Sequence, residues 1–80
     1  MKMMLGFVFL LCKDGTEEVV SAQLRNEGGV EDICRTHGSY DTIVKIKCKD
    51  NDELRSIIYY KIRRISDVKS TMVLTSPTMN

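Results

Sequence analysis

Residues 3–12 read Met-Met-Leu-Gly-Phe-Val-Phe-Leu-Leu-Cys, and this segment is the main indication of how the chain folds. It is apolar at nearly every position, whereas a strand with one face in water alternates apolar and polar residues. The stretch therefore predicts a strand with both faces covered. Because successive side chains of a strand point to opposite faces, the apolar residues divide into two sets. One set is Met3, Leu5, Phe7, Phe9 and Leu11, and the other is Met4, Val8 and Leu10.

The remaining chain alternates helical and extended patterns. Gly28-Gly29 stops a first helix, and Asp50 followed by Glu53 has the spacing of a capping box that opens a second. The second helix has the clearest apolar period, at Leu54, Ile57, Ile58, Ile62 and Ile65. The predicted elements are a strand at Met3–Cys12, a helix at Thr16–Asn26, strands at Val30–His37 and Thr42–Cys48, the second helix up to Ile65, and a strand at Val68–Thr75.

This order predicts an α+β, ferredoxin-like βαββαβ fold. Right-handed crossovers place both helices on one face of a four-stranded antiparallel sheet, with the first and third strands central. Two helices cover only one face, so the other needs a second copy, as in a dimeric α+β barrel. We expect Leu5, Phe7, Phe9 and Leu11 at that dimer interface, a single domain over residues 1–75, and a flexible tail at residues 76–80.

Size, charge and cysteine content exclude several classes. Eighty residues make one small domain. Three cysteines, none in a C-x-x-C pair, argue against a secreted disulfide scaffold, and the apolar start has no signal-peptide cleavage site and is too short to span a bilayer. We therefore predict a cytoplasmic protein with no membrane partner. A net charge of +1 with interspersed acids and bases argues against non-specific nucleic-acid binding.

Few residues are arranged for chemistry. Cys34 and His37 are three apart on a predicted strand, so they point to opposite faces and predict no metal site. No nucleophile motif or phosphate loop occurs, and the chain has one histidine. RNA-recognition modules stack bases on aromatic residues of their central strands, and Thr42–Cys48 has none. We predict a non-enzyme without cofactor, metal or RNA.

The turn Gly38-Ser39-Tyr40-Asp41 is the most informative exposed segment. Glycine lets backbone amides face outward and receive a carboxylate, while Asp41 can accept from an ammonium group and Tyr40 offers an aromatic wall. An amino acid presents both charges. The same four residues are also good turn formers, so composition alone favours a plain hairpin turn.

Several motifs, in order and over almost the whole chain, resemble the effector-binding (RAM) domain of the Lrp/AsnC, or feast/famine, transcription regulators. The turn within residues 36–44 resembles that family's G-x-Y-D motif, and residues 13–18 resemble its helix start. Further matches are Gly29-Val30, Leu54-Arg55, Ile62-Arg63-Arg64-Ile65 and Val68-Lys69-Ser70-Thr71.

The resemblance implies a domain that dimerises through its sheets, assembles further into tetramers, octamers or rings, and binds amino-acid effectors between dimers. Carried over, Gly38, Ser39, Tyr40 and Asp41 would contact the effector, and Ser70 and Thr71 would line the same pocket. It also implies transcription regulation, with full-length Lrp/AsnC regulators as partners. The chain starts at the first strand without the family's helix-turn-helix, so we expect a stand-alone form that does not bind DNA by itself.

Two alternatives stay open. The family often has a threonine or serine two residues after Thr71, and Val73 stands there, which slightly favours a ligand-free structural or adaptor oligomerisation module. An oxygenase-like enzyme of the same dimeric barrel topology would need a polar constellation between sheet and helices. His37, at a strand end, is poorly placed for that chemistry.

Overall fold

The computed structural model describes residues 3–76. Its elements follow the predicted order: β1 Met4–Cys12, α1 Glu17–Arg25, β2 Val30–Arg35, β3 Thr42–Cys48, α2 Asn51–Ile57, a π-helical turn Ile58–Ile62, and β4 Val68–Thr75. The bounds of β3 and β4 agree with the prediction. The strand β2 ends two residues early, because past Arg35 the ladder gives way to a single bond from the N–H of Thr36 to the carbonyl of Asp41.

The four strands form one antiparallel sheet in the order β2-β3-β1-β4. The two most apolar strands, β1 and β3, are therefore central, and the more polar β2 is at an edge, as predicted. In register, Val8 pairs with Val44 on one side and with Val73 on the other. The ladder between β1 and β4 shifts by one residue between Leu11 and Cys12. The ferredoxin-like fold is confirmed.

The core lies between one face of the sheet and the two helices. Each fully buried aliphatic side chain contributes on the order of 1.5–3 kcal/mol relative to exposure. One close approach stands out: a Cβ at Gly6 would lie 2.7 Å from a methyl carbon of the buried Leu54. Sheet and helices share the core, which contains Val8, Leu10, Val44 and Ile46 from the strands and Val20, Leu24, Leu54 and Ile62 from the helical segments.

The two helices begin differently. Asp50 caps α2 by accepting a hydrogen bond from the N–H of Glu53 at 2.8 Å, as its spacing predicts. The Glu53 carboxylate in turn accepts from the N–H of Lys49, one residue before the cap, at 2.9 Å. At α1 the cap residue is Thr16, but its hydroxyl donates to the carbonyl of Lys13 and caps no helical N–H.

The second helix changes type after Ile57, which the sequence pattern did not predict. The N–H of Arg63 donates to the carbonyl of Ile58 at 2.8 Å, a bond that spans five residues and defines a π turn. Among the described residues, no helix is long and apolar enough to cross a membrane. Ser76, which opens the predicted tail, donates its N–H to the carbonyl of Leu5; residues 77–80 lie outside the described residues.

Candidate functional site

The sheet face away from the helices, here called the open face, is apolar along its middle. Leu5, Phe7, Phe9 and Leu11 all lie on it and are half-buried, because neighbouring strands flank them. Cross-strand partners extend this surface on both sides. They are Ile43, Lys45 and Lys47 from β3, and Ser70, Met72 and Leu74 from β4. Within residues 3–76 no element covers this face, and Met72 and Leu74 are 38% and 50% exposed.

The Gly38–Asp41 turn lies at the end of the open face. The Tyr40 ring meets the Phe9 ring edge to face, with centroids 6.1 Å apart. Gly38 has a φ of +129°, a region that residues with a side chain rarely adopt, and a Cβ there would contact nothing within 4 Å. The N–H groups of residues 38–40 donate to no acceptor within residues 3–76. The turn thus has three backbone donors available to an anion.

Asp41 is occupied by the fold itself. One carboxylate oxygen accepts from the N–H of Cys12 at 3.0 Å, and the other accepts from the buried hydroxyl of Thr42 at 2.9 Å. Its own N–H donates to the carbonyl of Leu10. The carboxylate therefore ties the start of β3 to β1 at the point where the β1–β4 register shifts.

These bonds set the ionisation of the cluster. Burial alone would raise the pKa of Asp41, but the hydrogen bonds from Cys12 and Thr42, helped by the charge of Arg35, outweigh burial and lower that pKa below its ordinary value. Burial, followed by the nearby Asp41 charge, raises the pKa of the Cys12 thiol to about 11. Asp41 is thus a carboxylate and Cys12 an unreactive thiol at neutral pH.

The two predicted site residues on β4 point to opposite faces. Ser70 pairs with Leu11 and shares the open face, whereas Thr71 pairs with Leu10 and faces the helical side. Asp41 bonds to the backbone of Leu10 and of Cys12 on the β3 side of β1, so Asp41 and Ser70 flank Leu11, roughly 10 Å apart at two interstrand spacings. Within one subunit the turn and Ser70 share an end of the open face, and Thr71 does not join them.

A feature that the sequence reading did not find lies on the helical side. The side chains of Arg55, Tyr59 and Arg63 line a groove against Thr71 and Val73 of β4. Their four-residue spacing could have found them, since such residues share a helix face. Within residues 3–76, no three His, Cys, Asp or Glu side chains cluster closely enough to hold a metal ion.

Comparison with known proteins identifies the family. The sequence model of the Lrp/AsnC ligand binding domain matches residues 6–79. No curated protein matches the chain. Among solved structures, FFRP-DM1 superposes with a TM-score of 0.86 at 25% identity, covering 91% of this chain and 97% of that one.

Longer proteins match over about half their length. AsnC from E. coli has a TM-score of 0.84 at 25% identity, with 96% of this chain and 54% of that chain covered. A transcriptional regulator from Neisseria meningitidis, solved as a complex with L-Met, has a TM-score of 0.83 at 12% identity, over 91% of this chain and 49% of that one. At that identity the last match shows the fold alone.

Proposed function

The chain belongs to the Lrp/AsnC ligand binding domain family, and from this premise we propose that it is a non-catalytic domain that senses an amino acid or related small metabolite. The effector binds at an interface between copies of the domain and thereby modulates transcription regulators, full-length Lrp/AsnC proteins among them, or other partners. We place the protein in the cytoplasm, where a free exposed thiol such as Cys34 persists.

The observation that carries the proposal is the position of the Gly38–Asp41 turn at the end of an uncovered apolar face. Tyr40 packs against Phe9 there, and the N–H groups of residues 38–40 have no acceptor among the described residues. A bound carboxylate can accept from these donors. The Asp41 carboxylate is half-buried, and lone pairs that the fold does not use could accept from an ammonium group.

Self-association supplies the second wall of the pocket. The open face exposes a contiguous apolar surface, and burying it against a second copy removes that surface from water. Leu5, Phe7, Phe9 and Leu11 form its centre. In this arrangement the turn and Ser70 of one subunit border the rim of the interface, and Thr71 would reach an effector only through a neighbouring dimer.

The assembly is tested by placing a charge on the open face. We expect Phe7→Asp to convert the wild-type dimer into a monomer in sedimentation equilibrium, because the new carboxylate would have to be buried without a partner. Val19→Asp is the matched control, since Val19 is 53% exposed on α1 and away from that face. A wild-type monomer at micromolar concentration would exclude the interface.

Effector binding is tested by calorimetry with the twenty L-amino acids on the wild-type protein. We expect at least one to bind and Tyr40→Ala to weaken it by about tenfold, the effect of losing an aromatic contact. Tyr60→Ala removes an equally large but remote ring that is 64% exposed, and should leave affinity unchanged. If none of the twenty binds the assembled protein at millimolar concentration, amino-acid sensing is excluded.

One observation favours the alternative of a ligand-free adaptor module. Asp41, the acceptor for the effector's ammonium group, already holds Cys12 and Thr42. A turn built only for structure would use its carboxylate in this way. The two functions can be distinguished by experiment. An adaptor would sediment as a dimer but would release no heat of binding in calorimetric titrations with any amino acid.

A further inference from the structure

A groove separates the outer side of α2 and the π turn from strand β4. It has a volume of about 450 Å³, within the range of small-molecule sites. Arg55, Tyr59 and Arg63 form one wall, Thr71 and Val73 form the other, and Ile58 lies at the base. None of its lining residues belongs to the Gly38–Asp41 turn or to the open face.

The helical wall runs along α2 and the π turn. Arg55, Tyr59 and Arg63 follow one another at intervals of four residues, and the bond from the N–H of Arg63 to the carbonyl of Ile58 closes the wider turn between them. Tyr59 meets Tyr60 edge to face, with ring centroids 5.0 Å apart, although both rings stay more than 60% exposed. Neighbouring residues of a regular α-helix do not normally face each other in this way.

The groove is basic and carries no acid on its walls. Arg63 has no carboxylate partner within residues 3–76, and Lys69, which lines an adjoining hollow together with Arg63 and Thr71, has none there either. Arg55 pairs with Asp52 at 2.7 Å, but both side chains are at least 75% exposed, so the pair holds Arg55 only weakly. Two guanidinium groups thus border an apolar base.

We propose that this groove is a second ligand site, which binds a small aromatic carboxylate. The Arg63 guanidinium donates to both carboxylate oxygens, the geometry that guanidinium groups favour, and the Thr71 hydroxyl donates a further bond. The aromatic part lies over Val73 and Ile58 against the ring of Tyr59. Val73, which is 40% exposed, offers the ring an apolar surface that a threonine at this position would not provide.

The test uses a pair of probes that differ only in charge, indole-3-acetate and its neutral isostere indole-3-acetamide. Each is titrated into the ¹⁵N-labelled assembled protein, and the amide shifts are followed by two-dimensional NMR. We expect the acetate to shift the amides of residues 58–63 and 71–73. We expect the acetamide to bind at least tenfold more weakly, because it cannot form the ion pair with Arg63.

Substitutions test whether Arg63 is the residue that pairs with the carboxylate of the ligand. Arg63→Gln should lower the affinity for indole-3-acetate at least tenfold and leave the affinity for indole-3-acetamide nearly unchanged. Arg25→Gln is the matched control, an exposed arginine in the last turn of α1 that lines no part of the groove. Because Arg63 is exposed, its substitution should preserve the fold, and the dispersion of the NMR spectrum verifies this.

Three results would overturn the site: equal affinity for acetate and acetamide, wild-type affinity in Arg63→Gln, or shifts confined to the open face around Phe7 and Leu74. Tyr40→Ala separates this site from the effector pocket. The Tyr40→Ala substitution should weaken binding of the amino acid that the proposed function requires and leave the affinity for indole-3-acetate unchanged. Either proposal can therefore fail while the other stands.

Discussion

Replacing Asp41 by alanine should destabilise the domain by about 3 kcal/mol. The substitution removes two hydrogen bonds to a carboxylate, from the N–H of Cys12 and from the Thr42 hydroxyl, each worth roughly 1.5–3 kcal/mol. Thr42 is fully buried, so its hydroxyl has no access to water as a replacement acceptor. We take the lower part of the summed range, because the Cys12 N–H is only partly buried and can be rehydrated.

That loss is large for a chain of this size. Domains have about 0.05–0.15 kcal/mol of stability per residue, or roughly 4–12 kcal/mol for 80 residues. A loss of about 3 kcal/mol should lower the midpoint of thermal unfolding by roughly 12–24 °C. Urea unfolding followed by circular dichroism measures the free energy directly. Every variant must be compared at one protein concentration, since self-association couples to apparent stability.

The pH dependence gives an independent readout of the same carboxylate. Because the pKa of Asp41 is lowered in the folded protein, its ionised form stabilises the fold at every pH above the unfolded pKa of about 3.9. This contribution is lost as pH falls through the folded pKa. The stability difference between wild type and Asp41→Asn should therefore be constant near neutrality and shrink below about pH 4.

The matched control is Asp14→Asn, an exposed carboxylate in the β1–α1 turn. It should change the free energy of unfolding by no more than about 0.5 kcal/mol, as surface substitutions usually do. The structural role of Asp41 in holding the start of β3 to β1 is refuted if Asp41→Ala changes the free energy of unfolding by no more than that same limit. The result also bears on effector binding, because in a destabilised Asp41 variant a loss of binding cannot be separated from a loss of the turn. Tyr40 is therefore the better test residue.

Two further substitutions test how the fold is built. Gly6→Ala should cost about 1–3 kcal/mol in urea unfolding, because its Cβ would overlap the buried side chain of Leu54 at 2.7 Å; wild-type stability would show that Leu54 can move aside. Asp50→Ala should cost about 1 kcal/mol by removing the cap on the N–H of Glu53. Asp52→Ala, which loses an exposed ion pair and an acid in the first turn of α2, should cost less than Asp50→Ala; equal costs would contradict the capping role.

The sequence predicted the architecture because the apolar patterns of the strands allow one arrangement in the sheet. The doubly apolar β1 has to be central, and the polar residues of β2, such as Glu31 and Asp32, belong at an edge. The Asp50–Glu53 spacing has one common structural meaning, and the observed cap agrees with it. For β1, β2 and the Asp50 cap, the local sequence preference and the packing of the whole fold favour the same structure. These features are therefore predictable from the sequence.

The details that escaped prediction are those for which two structures share one pattern. Buried residues at Ile58 and Ile62 suit an α-helix and a π turn equally, so periodicity could not reveal the change after Ile57. Likewise, a Gly-x-Tyr-Asp turn predicts an exposed acid whether or not its carboxylate accepts hydrogen bonds from the rest of the fold. Only the structure shows that the β1–β3 ladder ends at Leu10 and Thr42, and that Asp41 accepts a hydrogen bond from the N–H of Cys12 just beyond that end.

Strand alternation links the two proposed sites. Adjacent residues of β4 must face opposite sides, so Ser70 belongs to the open face and Thr71 to the groove beside Arg63. One edge strand can therefore border an effector pocket on one face and an anion site on the other. A ligand that shifts β4 from the helical side would also displace Met72 and Leu74 on the open face, where we propose that the second copy binds. If both sites are occupied, reciprocity of coupling requires that each ligand change the affinity of the other by the same factor.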